Sequence, residues 1–228
     1  MTAPRSRDAA PAKRRGRKPR ASQDEIVRAA VELLEREPHE PLTMARVAEG
    51  VGLAPMTLYR YFEDRDALMT AIARAVIEGR EPLRFPKRAT WQDKVRTWMF
   101  SIRDNLVRYP QVLQLTATGG YQGWLVDGAE LVAILETVGE WADDDLARAL
   151  FWVSTTTLGH VILEANKPAS PSTSALYTEL GRLPEPAAAE MARVIPELGR
   201  LRDGGFALAV ELTVAALEDM VPGAAGRR

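Results

Sequence analysis

The chain has 228 residues, 46% of them hydrophobic, enough for one large or two small domains with a sizeable core, which excludes global disorder. It has no cysteine, so disulfides, thiolate catalysis and zinc fingers are excluded. The formal charge of -1 hides an asymmetry: residues 1–20 hold eight Lys/Arg against one Asp, a net of +7, and the remainder sums to -8.

A basic arm on an acidic body suggests a polyanionic partner. Residues 1–21, rich in Pro, Ala, Arg and Lys and without apolar periodicity, are predicted to be disordered. No apolar stretch follows them, so they do not read as a secretory signal. Ser22-Gln-Asp-Glu25 spells a capping box, in which the two side chains satisfy each other's backbone N–H groups. Ile26, Ala30, Leu33 and Leu34 then give the buried stripe of a first helix, ended by the stiff loop EPHEP at 37–41.

Residues 42–68, LTMARVAEGVGLAPMTLYRYFEDRDAL, are the most informative. Thr43 can cap a second helix, in which Met44, Val47, Ala48 and Val51 recur at helical spacing. Gly50 and Gly52 break it, and glycine can take the left-handed backbone of a helix end. Pro55 suits the first position of a third helix, about 55–62, with Leu58 and Phe62 facing inward. Thr57, Tyr59, Arg60 and Tyr61 are left for other surfaces, and all can meet phosphates or bases. This is a helix-turn-helix whose second helix would enter the major groove. Asp64 can cap a fourth helix through Leu68, Ile72, Ala75 and Val76 to about Gly79, and Pro82 and Pro86 mark a junction.

Beyond Ala89 the character changes, and all five tryptophans lie there. Trp91, Val95, Trp98, Ile102 and Leu106 mark an amphipathic helix over 90–108, stopped by Pro110. Helices are predicted over 111–118, 121–139, 143–166, 187–200 and 204–220, with a loop at 168–186. No strand alternation of useful length is found, so the fold class is all-α. The division reads as a disordered basic arm (1–21), a helix-turn-helix DNA-binding domain (22–80), a larger helical ligand-binding and dimerisation domain (81–222) and a tail (223–228). No uncharged apolar run reaches the ~18 residues of a membrane span, so a soluble cytoplasmic protein is expected.

The run VAEGVGLAPMTLYRYFEDRDALM resembles the DNA-binding domain of the tetracycline-repressor (TetR) family of transcriptional regulators. Thr43, Val47, Ala48, Gly52, Thr57, Leu58, Tyr59, Phe62, Asp64, Arg65 and Leu68 carry the resemblance, which extends over about residues 22–80. The chain departs from the family at Ala54, where Ser or Thr usually supplies a cap, and at Met56, where a small residue is common. The resemblance implies that Thr43, Thr57, Tyr59, Tyr61 and Arg65 touch backbone phosphates. Met56 and Arg60 suit base edges: Arg can bond guanine twice, and Met offers an apolar contact to a thymine methyl. A salt bridge from Arg60 to Glu63 or Asp64 is the plain alternative. Arg14, Arg15, Arg17, Lys18 and Arg20 can lie in a neighbouring minor groove.

An enzyme is not indicated. His39 and His160 lack metal-ligand partners, and no nucleophile elbow, P-loop or dinucleotide fingerprint is present. No cofactor or metal is expected. In the second domain, Trp98, Tyr109, Tyr121, Trp124 and Trp152 either line a pocket or fill a core. Thr155, Thr156 and His160 form a polar strip that either bonds back to helix carbonyls or meets a ligand. The resemblance implies a cavity here for a small-molecule effector that releases the protein from its double-stranded DNA operator. The expected mechanical route is a shift of helix 90–108 pushing on helix 64–79. The last helix, GGFALAVELTVAALEDM, is apolar around most of its circumference and needs a further partner. The resemblance supplies one: a homodimer joined by a four-helix bundle, reading an inverted repeat.

Overall fold

A computed structural model describes residues 21–118, 124–165, 178–201 and 204–222, apart from the side chains of residues 124, 125, 199 and 200. The expected basic arm, Tyr121 and the tail lie outside the described residues, as do most of the 168–186 loop and the side chain of Trp124. The chain runs through α1 (Gln23–Arg36), α2 (Met44–Gly50), α3 (Pro55–Leu58), α4 (Arg65–Glu78), α5 (Trp91–Arg108), α6 (Pro110–Ala117), α7 (Trp124–Glu136), α8 (Asp143–Ala165), α9 (Glu185–Leu201) and α10 (Gly205–Met220). No strand occurs among the described residues, and the fold is all-α, with an N-terminal helix-turn-helix and a larger C-terminal helical domain.

Local chemistry sets the helix starts. Ser22 Oγ accepts from Glu25 N–H at 3.1 Å while Ser22 N–H donates to Glu25 Oε2 at 2.6 Å, closing the capping box. That backbone donor is the main cause holding the Glu25 carboxyl below its ordinary range. Thr43 and Asp64 accept from the N–H groups of Arg46 and Ala67 and so cap α2 and α4. Between the helices of the turn, Gly52 alone takes the left-handed backbone, at φ +65, and Gly50 completes α2. Ala54 offers α3 no side-chain cap.

The third helix is shorter than the expected 55–62. It ends at Leu58, and residues 59–61 continue as tight turns, with Tyr61 N–H donating to Leu58 O at 2.9 Å and Phe62 N–H to the same carbonyl at 3.1 Å. This tightening brings Phe62 back beneath Leu58. Both are buried in a core shared with Ile26 and Leu34 of α1, Val47 of α2, and Leu68 and Ile72 of α4. Leu33, expected in the buried stripe of α1, is only half-buried, as is Val51, expected at the helical spacing of α2 and found at its C-terminal cap.

Tyr109 and Val112 join the same core from far along the chain. Tyr109 O–H donates to Glu35 Oε1 at 2.5 Å, and burial is the main cause raising its phenol above the ordinary range. Gln111 uses both ends of its amide on the α1–α2 loop: Oε1 accepts from Leu42 N–H at 3.0 Å and Nε2 donates to Glu40 O at 2.8 Å. A second core gathers Val95, Trp98 and Ile102 of α5, Leu131 and Leu135 of α7, Val153 and Val161 of α8, and Val210 and Leu217 of α10.

α8 is long and apolar enough to cross a membrane by length and composition, unlike the expectation for this chain. Here it packs on α5, α7 and α10, and Glu164 near its end is ion-paired with Arg103 of α5. Its Phe151, Trp152 and Leu163 stay exposed, as do Leu208 and Leu212 of α10.

Gly52→Ala should destabilise the protein by about 1–2 kcal/mol, the cost of placing a Cβ in left-handed backbone. No atom lies within 4 Å of the added Cβ, so the loss seen in urea unfolding will measure backbone strain alone.

Candidate nucleic-acid interface and ligand cavity

The two-turn segment from Pro55 to Phe62 puts its apolar residues in and its other residues out. Leu58 and Phe62 are 0% and 3% exposed, whereas Met56 is 76% exposed and Tyr59 47%. Arg60 is exposed, and Thr57 and Tyr61 are half-buried. Tyr61 leans its ring on the N-terminal core. No ion pair ties Arg60 to Glu63 or Asp64 among the described residues, and Asp64 is engaged in its cap.

Thr43 is exposed and uses its hydroxyl oxygen as an acceptor in the α2 cap, which leaves its O–H proton able to donate outward. Arg65 is divided. Its Nε donates to Leu42 O at 3.0 Å, tying the start of α4 to the loop before α2, while the outer end of the side chain stays half exposed. Arg46, which sequence reasoning did not single out, clamps the same loop through Glu37 and through Pro41 O at 2.8 Å. Arg14, Arg15, Arg17, Lys18 and Arg20 lie outside the described residues.

A cavity of about 480 Å3 opens in the C-terminal domain. Its walls come from Ile77 of α4, Trp98, Ile102 and Leu106 of α5, Thr116 of α6, Asp127 of α7, and Leu150, Phe151, Ser154, Thr155, Thr157 and Leu158 of α8, among others. Of the expected ligand residues, Trp98 and Thr155 line it. Four do not. Tyr109 is turned to Glu35 in the N-terminal core, because a buried phenol seeks an acceptor. Trp152 is half exposed on the outer face of α8. Thr156 and His160 share a different side of α8: His160 Nδ1 lies 3.0 Å from Thr156 O, and its ring packs against Phe206 of α10. The lining of α8 runs through Leu150, Phe151, Ser154, Thr155, Thr157 and Leu158 and skips Thr156, which lies on the His160 side. Thr155 itself bonds back to Phe151 O at 2.7 Å, the plain alternative for this strip.

Asp127 was not anticipated. Trp98 N–H donates to its carbonyl at 3.0 Å, and Arg80, just past the end of α4, donates to its Oδ1 at 3.2 Å, to Ser101 Oγ at 3.1 Å and to Glu130. Burial raises the Asp127 carboxyl above its ordinary range, more than Arg80 lowers it. Two acids three apart, Asp127 and Glu130, in the otherwise apolar run WLVDGAELVAIL were the available signal; the basic partner of Asp127 lies 47 residues earlier. α4 packs on α6 and α7, and Arg80 just past its end also reaches Ser101 of α5.

Residues 26–72 match the family of bacterial regulatory proteins, tetR family. An HTH-type transcriptional regulator of Saccharopolyspora erythraea is 29% identical over 157 residues, which span 68% of this chain and 66% of that protein. The HTH-type transcriptional repressor DrrR1 of Streptomyces coeruleorubidus is 27% identical over 64% of this chain and 54% of its own length. Among solved structures, the Streptomyces coelicolor TetR family protein ActR in complex with (S)-DNPA superposes with a TM-score of 0.70 at 20% identity, over 90% of this chain and 99% of that one.

Arg65→Met should remove the tie to Leu42 O and cost about 1 kcal/mol, since the bond is only part-buried. Amide hydrogen exchange should quicken in α2 while the rates in α8 and α10 stay unchanged.

Proposed function

Since the N-terminal domain of this chain belongs to the tetR family of bacterial regulatory proteins, we propose that the protein is a homodimeric, cytoplasmic transcriptional repressor. It holds an inverted-repeat DNA operator and is released when a small apolar molecule enters the cavity. The observation that carries this is the outward face of α3 and the turn after it. Met56, Tyr59 and Arg60 are exposed on a segment pinned from beneath by Leu58 and Phe62, with Arg60 free of ion pairs among the described residues.

Thr43, Thr57, Tyr59, Tyr61 and Arg65 hold backbone phosphates, and Met56 and Arg60 read base edges. The basic arm, Arg14 to Arg20, follows a neighbouring minor groove. The exposed apolar stripes of α8 and α10, with Leu163 at 70% and Leu212 at 61% exposure, supply the dimer face, and a two-fold axis sets the operator's symmetry. Half-sites lie about one helical turn, ~34 Å, apart, so a small rotation of each N-terminal domain spoils the fit.

An effector-free DNA-binding protein, structural or regulated by a partner, is the competing function. The cavity favours an effector, because its volume falls within the ~300–1,000 Å3 of typical small-molecule sites. The repressor named DrrR1 and the ligand bound in ActR support the same choice.

Binding to DNA selected from a random pool tests the α3 face. Tyr59→Ala should abolish binding without loss of fold, and Arg60→Ala should relax base preference by about 1–3 kcal/mol at one position. Wild-type binding by both variants would remove α3 from the groove. Leu212→Glu should shift sedimentation from dimer to monomer and weaken operator binding; a dimer that survives the charge would move the interface off α10.

A further inference from the structure

Among the described residues lining the cavity, Asp127 is the one charged side chain. Its neighbours set the sign of charge that the cavity accepts. Arg80 is shared between Asp127 and Glu130, so one guanidinium answers two carboxylates and the cluster stays one unit negative. All three side chains are largely withdrawn from water, with Arg80 13%, Asp127 15% and Glu130 27% exposed. Screening is weak at such depth, and the surplus charge acts on the cavity that Asp127 borders. A second observation points the same way independently. Trp98 and Phe151 line the same space, and aromatic faces attract cations, the more so when water is excluded.

We propose that the cavity takes a lipophilic cation, an apolar molecule carrying an amine, whose ammonium pairs with Asp127 in competition with Arg80. This rests on the ligand-released function above and names its class of ligand. The competition reaches α4 directly. Ile77 lines the cavity and Arg80 follows three residues later, so occupancy presses on the last turn of α4 as its tie to α7 is drawn away. Gly79 makes that tie possible: a Cβ there would stand 2.6 Å from Ala75 O, so only glycine fits the turn that aims Arg80 at α7.

Three probes with one skeleton isolate the charge: 6-phenylhexylamine, 6-phenylhexanol and 6-phenylhexanoate, titrated against the full chain by tryptophan fluorescence. The amine should bind roughly tenfold or more tightly than the alcohol, as a partly desolvated charge contact allows, and the carboxylate should bind weakest. Asp127→Asn should erase the amine's advantage while leaving the alcohol's affinity within about twofold, since the wall stays apolar. Should Asp127→Asn melt below the assay temperature, Glu130→Gln decides: it removes the surplus charge without altering the cavity wall, and it should narrow the gap between amine and alcohol. Tightest binding by the carboxylate, or an amine preference untouched by the folded variant, overturns the proposal. DNA binding is scored separately on the selected operator. A chain that binds no DNA yet prefers the amine through Asp127 sinks the repressor function and leaves the ligand class standing. Specific DNA binding with no amine preference does the reverse.

Discussion

A four-residue helix cannot hold its own shape in water, and everything the N-terminal domain presents outward depends on the burial of Leu58 and Phe62. α3 has no side-chain cap at Ala54 and only a single turn of helical bonds, so its geometry is imposed by what lies beneath it. The four-residue spacing of these two anchors, closed by the Phe62 N–H to Leu58 O bond, fixes the rotation of the whole segment. That rotation turns Met56, Tyr59 and Arg60 to solvent together. Rigidity is borrowed from α1, α2 and α4, and a cavity-forming change at Leu34 or Ile72 would be felt at a surface it never touches.

The same dependence joins the two halves of the chain. The α5–α6 junction reaches back to the N-terminal core through Tyr109, Gln111 and Val112, while Ile77 and Arg80 carry the end of α4 forward to the cavity and to α7. Two contacts in opposite directions make a closed loop of packing. A change in cavity occupancy has only a few side chains to pass through before it meets the loop that Arg46 and Arg65 clamp.

What the sequence revealed follows from the range of the interactions involved. Caps at Ser22, Thr43 and Asp64 are local, three residues from donor to acceptor, and all three could be read directly. The helical stripes could be read as well, because burial repeats at the helical period: Val95, Trp98, Ile102 and Leu106 lie where their spacing puts them. Residue types alone did not disclose long-range partnerships. Tyr109 and Trp98 look equivalent as aromatic residues of one amphipathic region, yet one turns to Glu35, 74 residues earlier, and the other to Asp127. Thr155 and Thr156 differ by one step and face different neighbours, which needed the azimuth of α8, known only once α10 and Phe206 are in place.

Gly79 leaves a mark on how such a protein can diversify. Most of the cavity wall is built from α5 and α8 side chains, and residues such as Phe151 and Thr155 are exposed enough to be exchanged without disturbing a core. The joint that would report on the cavity has no such freedom, since every side chain larger than hydrogen at position 79 meets the Ala75 carbonyl. Most of the lining and the joint at the end of α4 are therefore held by separate residues under unequal constraint, with the Asp127–Arg80 pair standing where the two meet. The shape of the cavity can drift through α8 while the end of α4 stays as it is.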